Sequence, residues 1–196
     1  MGDSVVIPFV VTFLNLGFYL VVDPLLRKDA TARSREPTKH DSGTTRLIGV
    51  VFAISWLAML GSAVLNRYRI AIVEPHLVFG MVGLVLMVSG AIIRTIAMRT
   101  LGKFFTRTLV MREAHRVVST GIYRRIRHPG YLADLLLFGG SGIATSNVIG
   151  TVVIIGVLLP AFVRRIAVEE RMLREAFGQE YVEYSGNTWK LIPFVF

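Results

Sequence analysis

Long apolar runs separated by polar segments are the feature that most constrains the fold of this sequence. A helix needs about 20 apolar residues to cross the hydrocarbon core of a bilayer, and three runs have roughly that length: 5–22, 47–65 and 77–93. A fourth run, 131–163, contains neither lysine nor arginine. As one helix it would extend about 50 Å against a core of about 30 Å, so we expect a hairpin that turns at 144–147. The sequence therefore predicts an all-α, polytopic membrane protein with five transmembrane helices, the last two of which form a helical hairpin.

The composition agrees with this class and excludes several kinds of chemistry. Hydrophobic residues make up 53% of the chain and charged residues only 18%, which is too apolar for an ordinary soluble domain. The net charge of +9 is explained by basic cytoplasmic loops, so we expect no nucleic-acid partner. The chain has no cysteine, which excludes disulfides, thiolate metal sites and cysteine nucleophiles. The first apolar run lacks a basic segment before it and a small-residue cleavage site after it, so we expect it to be retained as a span.

The distribution of charge predicts the orientation of the chain in the membrane. Segment 23–46 carries six basic and four acidic residues and is predicted to be a flexible loop, whereas segment 99–127 carries eight basic residues and one acidic residue. Because cytoplasmic loops carry an excess of lysine and arginine, both segments are predicted to face the cytoplasm. The second is also too long to be a simple connection. A hairpin after it returns the chain to the same side, so the C-terminal segment is expected there as well.

A basic motif, Arg127-His-Pro-Gly-Tyr131, meets the last apolar run. Proline is tolerated in the first turn of a helix, so Pro129 is predicted to begin one, with His128 and Tyr131 near an N-terminus that favours anions. The motif is equally typical of an interfacial anchor, in which arginine snorkels and tyrosine joins the aromatic belt. Asp134 is harder to explain in that way, because a carboxylate in an apolar helix needs a partner, which a cytoplasmic arginine could supply.

A charged amphipathic helix is predicted over 164–189. Its apolar residues recur at spacings of three, four and seven, and Gly178 is predicted to interrupt or cap it. Arg165 and Glu169 lie four residues apart and therefore on one face of this helix. Spacing alone leaves two interpretations open, a weak surface ion pair and a pair that faces a cavity next to His128.

These segments together carry a family resemblance. Arg127-His-Pro-Gly-Tyr131 is followed at hairpin distance by Arg165-x-x-x-Glu169-Glu170, then by Phe177-Gly-Gln-Glu-Tyr181-x-x-Tyr184 and Lys190-x-x-Pro193. In order and spacing, from about Leu101 to Pro193, this resembles the isoprenylcysteine carboxyl methyltransferase family of integral membrane enzymes. The chain departs from the family pattern at Ala133, where glycine is usual, at Lys190, where arginine is usual, and at Thr108, where the eukaryotic members have glutamine.

The resemblance implies a function for each half of the chain. Residues 1–98 would supply three transmembrane helices, and residues 99–196 a catalytic half made of the cytoplasmic loop, the hairpin and the C-terminal helix. The family binds S-adenosylmethionine at the cytoplasmic face and takes a lipophilic substrate from the bilayer. Arg165 corresponds to the arginine credited with holding the substrate carboxylate, and Glu169 to a cofactor-contacting glutamate. The other implied cofactor contacts are His115, Arg116, Val117, Val118, Tyr123, His128, Pro129, Gly130 and Tyr131.

The resulting hypothesis is a multi-pass membrane methyltransferase whose active site faces the cytoplasm. It would transfer a methyl group from S-adenosylmethionine to the carboxylate of a prenylated cysteine or similar lipid acid, with no general base required. One alternative is N-methylation of a phospholipid amine, in which Arg165 would meet phosphate and His128 could act as base. Another is a helical scaffold or small transporter, although the charged residues gather on one side instead of lining a path across the bilayer. The expected partners are a lipophilic substrate and membrane lipids, without a metal.

Overall fold

The computed structural model describes residues 3–27, 41–105 and 117–193, and these residues are mainly helical. The first helical rod consists of α1 (Asp3–Gly17), a π-helical segment (Phe18–Val22) and α2 (Asp23–Leu26). The remaining helices are α3 (Thr44–Arg67), α4 (His76–Leu101), α5 (Pro129–Ala144), α6 (Val148–Phe177) and α7 (Gln179–Gly186). Short 3₁₀ turns occupy Gly102–Phe104 and Gly121–Arg124.

Four helical segments are long and apolar enough to cross a membrane, namely Ser4–Leu26, Thr44–Arg67, His76–Leu101 and Val148–Phe177. Helix α5 has 16 residues, which correspond to about 24 Å and fall short of a hydrocarbon core of about 30 Å. The all-α membrane fold is thus confirmed, whereas the count of five transmembrane helices is not.

The predicted hairpin is formed by α5 and α6, which are joined by residues 145–147. Asn147 caps α6 by accepting a hydrogen bond from the N–H of Gly150 at 3.1 Å. The prediction of a separate helix over 164–189 is wrong at its start, because α6 continues without interruption from the apolar arm to Phe177. A change from apolar to charged side chains does not interrupt the backbone hydrogen bonds of a helix. Gly178, at φ +53°, ends α6 as expected.

Helices α4 and α5 pack with their backbones in contact. A Cβ atom at Gly83 would clash with the backbone of α5 at Gly140, and one at Gly140 would lie 2.7 Å from the carbonyl oxygen of Gly83. Further along, a Cβ atom at Gly90 would lie 2.7 Å from the carbonyl oxygen of Ala133. Small residues allow this close approach, which is a common way for helices to associate in membranes.

Polar groups join the helices at one end of the bundle, which we call the far end. The amide of Asn66 donates to the carbonyl oxygens of Ser4 at 2.7 Å and Thr145 at 2.8 Å. The opposite end, which we call the site end, is formed by α2, the start of α3, the end of α4, the start of α5, the last turns of α6, and α7. Most of the sequence-predicted functional residues that the structure describes lie at the site end.

Candidate active site

A cavity of about 330 Å³ lies at the site end of the bundle. On one side it is lined by apolar residues of the first rod and α3, of which Leu20 is 61% exposed and Gly49 is also exposed on the outer surface. On the other side its walls carry charged and aromatic groups. Eight sequence-predicted site residues line it: Val117, Val118, Tyr123, His128, Gly130, Tyr131, Arg165 and Glu169.

The remaining predicted residues are placed as follows. Pro129 is buried as the first residue of α5, so the prediction that it begins this helix is confirmed. Gly130, one of the eight cavity-lining residues, packs against the loop that follows α4, because a Cβ atom there would lie 3.2 Å from the Phe105 ring. His115 and Arg116 lie outside the described residues.

Arg165 and Glu169 both face the cavity and are connected through Tyr131. The Tyr131 hydroxyl donates to Oε2 of Glu169 at 2.6 Å, and Nε of Arg165 donates to the Tyr131 oxygen at 3.2 Å. Arg165 is 3% exposed, so a surface ion pair does not describe it. Of the two interpretations that spacing left open, the geometry favours the cavity-facing one.

Asp41 is a partner of Arg165 that the sequence did not reveal. Nη1 of Arg165 donates to Oδ1 of Asp41 at 2.5 Å and to the hydroxyls of Thr44 at 2.6 Å and Thr45 at 3.1 Å. Burial opposes ionisation of Asp41, but hydrogen bonds from Thr45 and the charge of Arg165 outweigh it and lower its pKa. The contact joins the turn before α3 to α6 across 124 sequence positions. The prediction of a flexible loop over 23–46 is wrong at both ends of this segment, which are helical at Asp23–Leu26 and from Thr44 onward.

A buried charge cluster forms the wall of the cavity next to α5. Arg94 is its centre, with Nη1 at 2.5 Å from Oδ1 of Asp134 and Nη2 at 2.8 Å from Oδ1 of Asp23. Nε of Arg27 lies 2.9 Å from Oδ2 of Asp23, and the Tyr19 hydroxyl donates to Asp134 at 2.5 Å. Two arginines thus balance two carboxylates, which matters because an unpaired buried charge is strongly destabilising. Arg94 is the arginine that the isolated Asp134 required.

The same two arginines hold the loop after α4 against the cavity. The guanidinium carbons of Arg27 and Arg94 lie 5.2 Å and 5.5 Å from the centre of the Phe105 ring, within the range of cation–π contacts. Because Phe105 also packs next to Gly130, this contact links the charge cluster to the start of α5. A larger residue at position 130 would displace the ring.

Glu170 joins the basic motif before α5 to the C-terminal motif that contains Lys190. Its Oε1 lies 3.1 Å from Nε of Arg127 and 3.4 Å from Nε2 of His128, and its Oε2 lies 3.8 Å from Nζ of Lys190. The backbone supports this junction, since the N–H of Arg127 donates to the Trp189 carbonyl at 2.8 Å and that of His128 to the Lys190 carbonyl at 3.2 Å. The basic motif and the C-terminal motif therefore belong to one structural unit. Lys190, where the family usually has arginine, is within reach of the same carboxylate.

Tyrosines line the cavity on the side of α7. The Tyr184 hydroxyl donates to the backbone carbonyl of Tyr123 at 2.8 Å, which fixes α7 to the 3₁₀ turn before α5. Burial raises the pKa of Tyr184 to about 12 and raises the pKa of Tyr123 as well. Both hydroxyls are therefore protonated at neutral pH and can donate hydrogen bonds.

One cavity thus connects an exposed apolar opening to a chamber of charged groups at one end of the helical bundle. The fold is similar to the solved structure of the eukaryotic intramembrane Ras methyltransferase ICMT (isoprenylcysteine carboxyl methyltransferase), with a TM-score of 0.56 and 23% identity over 81% of this chain and 55% of that chain. The family model described as phospholipid methyltransferase (PEMT) matches residues 78–180.

Two relatives define the family more closely. The probable protein-S-isoprenylcysteine O-methyltransferase of Oryza sativa subsp. indica is 30% identical over 162 residues, which cover 80% of this chain and 85% of the relative. Protein-S-isoprenylcysteine O-methyltransferase of Saccharomyces cerevisiae is 37% identical over 115 residues, covering 58% of this chain and 48% of the relative. The chain therefore belongs to the isoprenylcysteine O-methyltransferase family. The predictions of this family and of a membrane methyltransferase are confirmed.

Proposed function

We propose that this protein transfers a methyl group from S-adenosylmethionine to the carboxylate of a prenylated cysteine or a similar lipid acid. The observation that carries the proposal is the continuity of the cavity between its apolar opening, at Leu20 and Gly49, and the charged groups Arg165 and Glu169. A substrate with a long apolar tail and a terminal carboxylate matches this cavity, because its tail fits the apolar opening and its carboxylate fits the charged chamber. The relatives named protein-S-isoprenylcysteine O-methyltransferase support this substrate class.

The groups in the chamber fit the methyl donor. Its ammonium group would pair with the Glu169 carboxylate, and its carboxylate with the first turn of α5, where helix N–H groups favour anions. The rings of Tyr123 and Tyr131 line the same chamber and offer π faces to a sulfonium. S-Adenosylmethionine would supply an electrophilic methyl group on positively charged sulfur. The cavity volume of about 330 Å³ lies within the usual range of small-molecule sites.

Arg165 is the residue that we assign to the substrate carboxylate. Arg165 lines the cavity, and its Nη1 already binds a carboxylate oxygen, Oδ1 of Asp41, at 2.5 Å. The planar guanidinium can bind a carboxylate through two parallel hydrogen bonds, which the point charge of a lysine cannot do. A bound carboxylate is already nucleophilic, so these residues would act by orientation and by electrostatic stabilisation.

The alternative substrate is a phospholipid amine, since the matching family model is named for phospholipid methyltransferases. A protonated amine must lose a proton before it can accept a methyl group. His128, whose Nε2 lies 3.4 Å from Glu170, would be the base that removes this proton. This reaction would leave the product with a methyl group on nitrogen instead of on a carboxylate oxygen.

The chemistry of the product distinguishes the two reactions. The purified protein is incubated with S-adenosylmethionine labelled in its methyl group, and with either N-acetyl-S-farnesylcysteine or phosphatidylethanolamine. We expect label in the farnesylcysteine product, and we expect mild alkali to release it as methanol because a methyl ester hydrolyses. Label that appears only in phosphatidylethanolamine and resists alkali would contradict the carboxylate proposal.

A further inference from the structure

The hydroxyl of Tyr181 is a buried polar atom without a protein partner among the described residues. Tyr181 lies on α7, is 2% exposed and lines the cavity. Within the described ranges, Nδ1 of His76 is the other buried side-chain atom that lacks a hydrogen-bond partner. His76 belongs to the far end, whereas Tyr181 lines the proposed active site. Buried polar groups are nearly always paired, so such an exception needs an explanation.

Among the residues that the structure describes, the hydroxyls of three other tyrosines of the cavity have hydrogen-bond partners, in contrast to that of Tyr181. The hydroxyl of Tyr19 donates to Asp134 at 2.5 Å, that of Tyr131 to Glu169 at 2.6 Å, and that of Tyr184 to the Tyr123 carbonyl at 2.8 Å. Each of these bonds joins two elements of the fold. Tyr181 is more buried than Tyr131 and Tyr184, which are half-buried, yet its hydroxyl has no hydrogen-bond partner among the described residues.

We propose that Tyr181 is a cofactor-binding residue whose hydroxyl donates a hydrogen bond to the methyl donor; this inference rests on the proposed use of S-adenosylmethionine. Tyr181 lines the cavity together with Leu173 and Phe177 at the end of α6, away from the opening at Leu20 and Gly49. A lipid tail would occupy that opening, which leaves the α7 side of the cavity to the cofactor. S-Adenosylmethionine carries several oxygen and nitrogen acceptors, so it can satisfy a single donor.

The electrostatic surroundings support a donor role. Burial, together with the negative charges of Glu170 and Glu169, raises the pKa of Tyr181. The hydroxyl therefore keeps its proton at neutral pH. A hydrogen bond to the cofactor would remove the free-energy cost of leaving this buried hydroxyl unpaired. The hydroxyl would therefore contribute to recognition of the cofactor.

The test is the variant Tyr181→Phe, which removes the oxygen and preserves the ring. Binding of S-adenosylhomocysteine to the detergent-purified protein, without lipid substrate, is measured by calorimetric titration, and the thermal midpoint of the ligand-free protein is measured in the same buffer. We expect roughly tenfold weaker binding, as for the loss of one hydrogen bond to a ligand, with an unchanged or higher midpoint. Tyr184→Phe is the matched control: it removes the bond to the Tyr123 carbonyl, so its ligand-free midpoint should fall.

The outcomes separate this inference from the proposed function. If the wild-type protein binds S-adenosylhomocysteine and Tyr181→Phe binds it equally well, the role of Tyr181 is wrong while the proposed cofactor stands. If Tyr181→Phe lowers the ligand-free midpoint as much as Tyr184→Phe does, the hydroxyl has a partner within the protein and the inference is also wrong. Failure of the wild-type protein to bind the ligand would overturn both.

Discussion

At the scale of single residues, two buried arginines of the site end have different surroundings. Arg94 lies between two carboxylates, Asp23 at 2.8 Å and Asp134 at 2.5 Å, and serves as the centre of the charge cluster. Arg165 contacts Asp41, but that carboxylate also accepts hydrogen bonds from the N–H of Thr45 at 3.2 Å and from its hydroxyl at 2.6 Å. In the contacts described above, Arg94 has two carboxylate partners, whereas Arg165 has one carboxylate and three hydroxyl partners, so Arg165 is the better candidate to receive the carboxylate of a substrate.

The variant Arg165→Lys tests this assignment, because it keeps the charge and removes the planar fork. We expect the affinity for S-adenosylhomocysteine to stay within a few-fold of wild type, while methyl transfer to a farnesylcysteine acid falls by at least about tenfold, or ~1.4 kcal/mol. Both quantities are measured on the same purified protein. Arg69→Lys, at an exposed residue of the far end, is the control and should leave both unchanged. Undiminished transfer in Arg165→Lys would remove Arg165 from the substrate site.

Site residues that belong to recognisable sequence motifs were easier to predict than residues that lie outside any motif. The family resemblance, which rests on the order and spacing of the motifs, implied site roles for His128, Tyr131, Arg165 and Glu169, and all four line the cavity. Asp41 was not identified, since no local pattern relates it to a residue 124 positions away. The sequence indicated that Asp134 needs an arginine as its partner, but it did not indicate which one. Arg94 lies 40 positions away, and only the packing of the helices brings the two together.

At the scale of helices, the first rod and α3 form the apolar opening of the cavity. Gly49 lines this opening, and a Cβ atom there would have no heavy atom within 4 Å, so a side chain can begin there in open space. We expect Gly49→Phe to obstruct the path of the lipid tail and to raise KM for the farnesylcysteine acid by about tenfold or more. Affinity for S-adenosylhomocysteine should not change.

Gly61→Phe provides a control on the same helix. A Cβ atom at Gly61 would also have no heavy atom within 4 Å, and this residue lies near the far end of α3. Steady-state kinetics with both variants should therefore show a raised KM for Gly49→Phe alone. Equal kinetics in the two variants would mean that the lipid reaches the chamber by another path.

The contact between α4 and α5 gives a prediction about stability. Gly90→Ala would place Cβ 2.7 Å from the carbonyl oxygen of Ala133 and 2.7 Å from the backbone nitrogen of Leu137, so the two helices would have to separate. Overpacking of this kind costs about 1–3 kcal/mol, and we expect a lower thermal midpoint in detergent. Gly156→Ala, on α6 with open space around it, should leave the midpoint unchanged or raise it slightly. A midpoint for Gly90→Ala at or above wild type would contradict the close packing of α4 and α5.

Helix ends could be predicted where backbone chemistry fixes them. Pro129 and Gly178 mark the start of α5 and the end of α6 because proline suits a first turn and glycine adopts positive φ. The hairpin followed from the length of the apolar run. The continuation of α6 past Arg164 could not be inferred from hydropathy, because a helix that leaves the bilayer changes its side chains but not its backbone.

At the scale of the whole molecule, both halves of the chain build the cavity. Tyr19, Asp23 and Arg94 come from residues 1–98, and His128 and Glu169 from residues 99–196. The division into residues 1–98 as membrane helices and residues 99–196 as the catalytic half therefore stays a prediction, because residues of both parts line the cavity. A protein reduced to 99–196 would lack the apolar opening and most of the charge cluster.

The orientation of the whole molecule can be tested with single cysteines, because the natural sequence contains none. We propose that the site end faces the cytoplasm, since segment 99–127 carries eight basic residues against one acidic residue. Arg124→Cys and Gly186→Cys, both at exposed residues of the site end, should react with a membrane-impermeant maleimide only from the cytoplasmic side. Tyr68→Cys, 72% exposed at the far end, should react only from the opposite side. Labelling of Arg124→Cys and Gly186→Cys from opposite sides would contradict the hairpin, and labelling of both from outside would reverse the proposed orientation.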